Sequence, residues 1–81
     1  MHLQPDSRHE WLLTTEEVAN GFGVRVDSVH RTKRNRSADL INGKHFVHIG
    51  NHLHWTKRGV IRLGYFIRSP RARQFRDSAR T

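Results

Sequence analysis

Apolar residues come in short clusters, separated by glycines, prolines and charged runs. The first cluster is Trp11, Leu12 and Leu13, which reads as a short strand or as a staple against the helix that follows. Thr14 and Glu17 have the spacing of a capping box, so a helix begins near Thr15 with Val18, Ala19 and Phe22 facing inward. Gly23 supplies the turn, because glycine accepts positive φ without steric cost. A second helix is expected over 26–36. Arg25 is a poor cap for it, and Asp27 or Ser28 can serve if the helix starts later. With Val29 set toward the core and 100° per residue, Asp27, Ser28, Arg31, Arg34 and Asn35 fall on the opposite side. His30 lies at the flank, and Val26 and the stem of Lys33 stay near Val29.

Residues 37–44 hold a short helical turn (Ala38 to Ile41) and end at the turn dipeptide Asn42-Gly43. The run HFVHIGNHLHWT predicts a β-hairpin, with strands over 45–49 and 52–56 around Gly50-Asn51. A two-residue turn sets Phe46 opposite Trp55 and His48 opposite Leu53. Phe46, Leu53 and Trp55 then face inward, and Val47, Ile49, His52 and His54 outward. Thr56 caps a third helix over 57–67, lined by Val60, Leu63 and Ile67. Gly59 and Gly64 lower helix propensity there, and close packing is the reason expected for them. Ser69-Pro70 starts a last helix over 70–79, with Ala72, Phe75 and Ala79 inward and Arg71, Arg73, Arg76 and Arg80 outward. The pattern is that of a small α+β winged helix-turn-helix: the helix pair, a β-hairpin and two C-terminal helices. Residues 1–10 read as a flexible N-terminal segment and 11–81 as the domain.

Composition narrows what such a fold is for. Eighty-one residues with 35% apolar content make one domain with a modest core. Fifteen Lys and Arg against seven acidic residues give a net charge of +8. That field attracts polyanions, chiefly nucleic acid or anionic membrane. The alternative is a solvated basic surface, but the charge is concentrated rather than scattered. The absence of cysteine excludes disulfides and thiolate metal sites. No apolar run approaches the ~20 residues of a membrane span, and the N-terminus lacks a signal-peptide core. A cytoplasmic protein without membrane partners is expected.

Ala19, Gly23 and Val29, at i, i+4 and i+10, fit a helix-turn-helix: a close approach, a turn and an apolar pin. An ordinary helical hairpin has the same spacing. On the first reading the partner is double-stranded DNA, with the second helix in the major groove. Arg31, Arg34 and Asn35 have the reach and donors for base edges. Ser28 would meet phosphate or base, His30 borders the same face, and Arg25, Lys33 and Arg36 would mainly hold phosphates. Lys44, Asn51, His52 and His54 are candidates on a hairpin wing touching backbone or minor groove, against the alternative of a hairpin that only completes the core. His45, His48, His52 and His54 lie within ten residues. A structural metal site wants four ligands, usually with thiolates, so no metal is expected. No carboxylates pair for acid–base work, and there is neither a phosphate-cradling glycine loop nor a nucleophile–base arrangement. Neither enzyme activity nor a cofactor is expected.

From Leu12 to about Ala79 the chain resembles the N-terminal DNA-binding domains of phage antirepressors, the Bro-N and KilA-N type group. The residues that carry this are LLTTEEVANGFGV, INGKHFV and WTKRGVIRLGYFIRSPRARQFRDSA, with a Trp-Thr-Lys-Arg-Gly-Val opening and an Ala-x-x-Phe-Arg-Asp close. The resemblance implies DNA binding in a phage or prophage setting, in regulation of the lysis–lysogeny choice within a bacterial host. Such proteins usually continue into a C-terminal effector domain, which has no counterpart in this sequence. A homodimer is an expected state, because one small module offers limited affinity. Two rivals remain open. A basic phage factor can bind an acidic patch on a host protein such as RNA polymerase. RNA binding is disfavoured, since Phe46, Trp55, Tyr65, Phe66 and Phe75 are all assigned to the core and none is left to stack on bases.

Overall fold

At Thr14 a strand becomes a helix. Its backbone is extended (φ −71°, ψ 163°), its hydroxyl accepts the Glu17 N–H at 3.2 Å, and the Glu17 carboxylate accepts the Thr14 N–H at 2.9 Å. The capping box is therefore complete, and the chain turns directly from β2 (Glu10–Thr14) into α1 (Thr15–Phe22). The computed structural model describes residues 4–6 and 10–80. Over them it is an α+β domain with four helices and an antiparallel sheet.

Gly23 closes α1 in the left-handed region (φ 71°), and its N–H reaches the Ala19 and Asn20 carbonyls. Two residues later α2 (Val26–Asn35) begins at Arg25, which makes no side-chain capping bond. The hairpin is β3 (Phe46–Ile49) and β4 (His52–Thr56), with Phe46 opposite Trp55 and His48 opposite Leu53, the register its two-residue turn demands. Strand β4 also pairs with β2, at Leu12↔Thr56, Leu13↔Trp55 and Thr14↔His54. Strand β1 (Gln4–Asp6) adds to the far side of β2, giving the order β1-β2-β4-β3. The flexible segment expected over residues 1–10 thus contains a paired strand, and Glu10 belongs to β2. The remainder of that expectation, at residues 1–3 and 7–9, lies outside the described residues.

Thr56 starts α3 (Lys57–Phe66), its hydroxyl accepting the Gly59 N–H at 3.0 Å and donating to the Lys44 carbonyl at 2.7 Å. A Cβ on Gly59 would collide with the His45 carbonyl oxygen, so glycine is what lets α3 seat against the loop before β3. The fourth helix, α4 (Ala72–Arg80), starts later than expected. Ser69 does not cap it with its side chain. The Ser69 hydroxyl instead donates to the Phe22 carbonyl at 2.6 Å, and its carbonyl accepts the Ala72 N–H. Phe75 meets Phe22 edge-on, with ring centroids 4.9 Å apart.

The core joins Leu13, Val18, Phe22, Val29, Phe46, Trp55, Val60 and Leu63. Trp55, fully buried, donates its indole N–H to the Thr15 hydroxyl at 3.1 Å and so ties the central strand to the first residue of α1. Two expectations about exposure fail. His54 is buried, because β4 is flanked by β2 and β3 and the outer face of the sheet is covered there, as the burial of Leu12 and Thr56 on the same face also shows. Its Nδ1–H is donated to the His52 carbonyl at 3.1 Å. Tyr65, assigned to the core, is 56% exposed.

Candidate nucleic-acid interface

One fully buried side chain, Val29, anchors α2, with Val26, Thr32 and Lys33 half-buried beside it. The geometry of the helix then decides everything else on it. Asp27, His30, Arg31, Arg34 and Asn35 are exposed and occupy one arc opposite Val29. The structure therefore brings Arg31, Arg34 and Asn35 together on a single solvent-facing surface, with His30 on its edge. The Arg31 guanidinium reaches the Ser28 hydroxyl at 3.5 Å, while the Ser28 carbonyl accepts the Thr32 hydroxyl at 2.9 Å. Ser28 is half-buried at the start of this face. Lys33 and Arg34 in the last turn suit the negative end of the helix dipole.

The other basic residues of this segment are placed differently. The Lys33 ammonium lies 4.4 Å from the centroid of Phe46, and the Arg36 guanidinium 4.7 Å from that of Phe66. Both point toward the body of the protein, where a cation over an aromatic face is stabilised by the ring quadrupole. They border the exposed arc rather than extending it. Arg25 is almost fully exposed, in a loose 4.0 Å pair with Asp27 that solvent screens heavily.

The hairpin tip approaches the N-terminal half of α2. Between them runs a groove of about 680 Å³, lined on one side by Val26 and His30 and on the other by Ile49, Asn51, His52, Leu53 and His54. Thr14, Thr15 and Glu16 close its end. His30, Asn51 and His52 thus meet at one site. His54 reaches it only as part of the buried sheet. Ile49, 41% exposed at the tip, and Glu16, exposed in the first turn of α1, belong to the same groove and were not singled out in the sequence. The hairpin register turns Ile49 outward, and Glu16 sits in the first turn of α1, where the helix dipole favours a carboxylate.

Lys44 is not brought to this groove. It stands at the base of the hairpin, its carbonyl held by Thr56, and lines separate hollows with Arg58, Ile61, Arg62 and Tyr65. Beside it His45 is buried, and its Nδ1 accepts the Ile41 N–H at 2.9 Å. Burial holds the His45 pKa below the usual 6.5, and the cations Arg62, Lys44 and Arg58 push it the same way against a small opposing effect of Asp39. The spacing of Arg58 and Arg62, i and i+4 on a helix, was the signal available in the sequence for this second basic cluster.

Among the described residues, no group of three or more His, Asp or Glu is placed to hold a metal ion, and no helix is long and apolar enough to cross a membrane. Comparison of the chain with protein-family models, with curated proteins and with solved structures gave no match.

Proposed function

We propose that this chain is a winged helix-turn-helix protein that binds double-stranded DNA, with α2 in the major groove and the β3–β4 hairpin as the wing. In this reading it is a sequence-specific transcriptional regulator of phage or prophage origin. The observation that carries the proposal is the single exposed arc of Arg31, Arg34 and Asn35, held outward by the burial of Val29. Arg is suited to guanine and Asn to adenine through paired hydrogen bonds in the major groove. The groove between α2 and the hairpin tip supports it further, because it puts His30, Asn51 and His52 beside the same face. Arg25 then contacts a flanking phosphate, while Lys33 and Arg36, drawn onto rings, add their field at the margin of the same face.

Fluorescence anisotropy with labelled duplex DNA over a salt series tests the proposal. Binding must weaken steeply as salt rises, with a log–log slope of about −0.9 for each phosphate neutralised. A flat salt response, or no binding at low salt, refutes it. Random-site selection on duplex DNA then reads out the preferred sequence, and a palindrome with half-sites about 10 base pairs apart marks a two-fold dimer.

A further inference from the structure

The second basic cluster shares no residue with the groove beside α2. It consists of two adjoining hollows, of about 620 and 390 Å³, that have Lys44, Arg58 and Ile61 in common and so form one trough across the outer face of α3. Arg62 and Tyr65 complete one end of it. Among the described residues Lys44, Arg58 and Arg62 are in no ion pair, whereas Lys57 nearby is taken up by Glu10 at 3.1 Å. The first turn of α3 holds no acidic residue to offset its positive dipole end.

Apolar surface accompanies this charge. Tyr65 is 56% exposed and Ile61 half-buried, and Ile41, 50% exposed, is hydrogen-bonded to His45 at the side of the trough. Arg76 lies over Tyr65, 4.5 Å from its centroid. It fixes the ring in place while covering one of its two faces. Exposed aromatic and aliphatic side chains among arginines are the composition of a protein interface. A nucleic-acid strand would use the cations, but it would find a single half-covered ring for stacking and no use for the isoleucines.

We propose that this trough on α3 docks an acidic segment of a protein partner, one that carries apolar side chains among its carboxylates. Carboxylates meet Lys44, Arg58 and Arg62, and the apolar side chains cover Ile61 and Tyr65. The site is independent of the DNA-binding reading, because it lies on a different helix and in a different hollow.

The test uses the full chain and two synthetic peptides of equal charge, one of Asp and Glu interspersed with Leu and Phe, the other all Glu. Amide chemical shifts and anisotropy are followed, with oligothymidylate and duplex DNA as further ligands. The mixed peptide is expected to bind at least tenfold more tightly than polyglutamate and to shift Lys44, His45, Arg58, Arg62 and Tyr65 but not Arg31 or Arg34. Tyr65→Ala, at an exposed position, should remove that tenfold preference while leaving duplex affinity within twofold of the parent. Arg58→Glu with Arg62→Glu should abolish peptide binding altogether. Equal affinity for the two peptides, an unchanged preference in Tyr65→Ala, or tighter binding of oligothymidylate to the same residues would overturn the proposal.

Discussion

His45 is the residue whose chemistry is most constrained by its surroundings. It is buried beside three cations, and its Nδ1 lone pair is committed to the Ile41 N–H. Its pKa is held down in the folded state, so the unfolded chain takes up a proton that the folded chain resists. The stability this contributes is fully present above pH 6.5 and is lost as pH falls toward the lower folded-state value. Urea denaturation from pH 8 to pH 5 measures it. His45→Gln should lose less stability over that interval than the parent chain, and parallel curves would exclude the effect. Tyr65 and Lys33 make the same point about surroundings from the opposite side. Periodicity turns the stem of Lys33 inward, but the ring its ammonium meets belongs to β3, and the guanidinium over Tyr65 comes from α4, so both contacts depend on elements from elsewhere in the chain.

At the scale of elements, α2 is held by little. Val29→Ala removes its one fully buried anchor and should cost about 2 kcal/mol. Hydrogen exchange of the α2 amides should accelerate more than that of α1 or α3. Exchange that rises uniformly would mean that α2 is not a separate unit. On the proposed DNA surface, Arg31→Ala and Arg34→Ala should behave differently from Arg25→Ala. A base-reading arginine should cost about 1–3 kcal/mol and relax the preferred sequence. A phosphate-holding one should weaken all sequences alike and reduce the salt slope by about 1. Anisotropy on selected and scrambled duplexes separates the two, and identical losses for all three variants on both duplexes would remove the distinction.

The elements themselves were largely readable in the sequence, because short-range rules specify them. The Thr14–Glu17 box, the Thr56 cap and the Phe46↔Trp55 register each depend on residues within a few positions or across one tight turn. What the sequence did not disclose is non-local. The pairing of β2 with β4 buries His54, and Phe22 draws the Ser69 hydroxyl to its carbonyl, whereas the place of Lys44 at the hairpin base, away from the tip, follows from the register alone. Of the candidate site, the α2 arc was legible from periodicity alone. The groove that joins it to the hairpin was not, because a helical wheel carries no information about a strand more than a dozen residues away.

The whole molecule is small, 81 residues with a net charge of +8, and has a limited core. Like charges repel one another across a domain of this size, so a polyanion that neutralises them should stabilise the fold visibly. A duplex present at a hundred times its Kd adds about 2.7 kcal/mol, which is about 10–20 °C in Tm for a domain under 100 residues. Thermal melts with selected and scrambled duplexes at moderate salt give the measurement. An unchanged Tm with the selected duplex would contradict a binding site that exists only in the folded state.

Strand β4 is hydrogen-bonded on both sides, and its partner β2 continues without a break through Thr14 into α1. Hairpin and α1 are therefore joined along a backbone ladder rather than by a hinge, whereas α2, beyond the Gly23 turn and anchored on Val29, is the less firmly held wall of the groove. A ligand wide enough to touch both walls meets a hairpin that keeps its place, and any adaptation on the protein's side falls on α2.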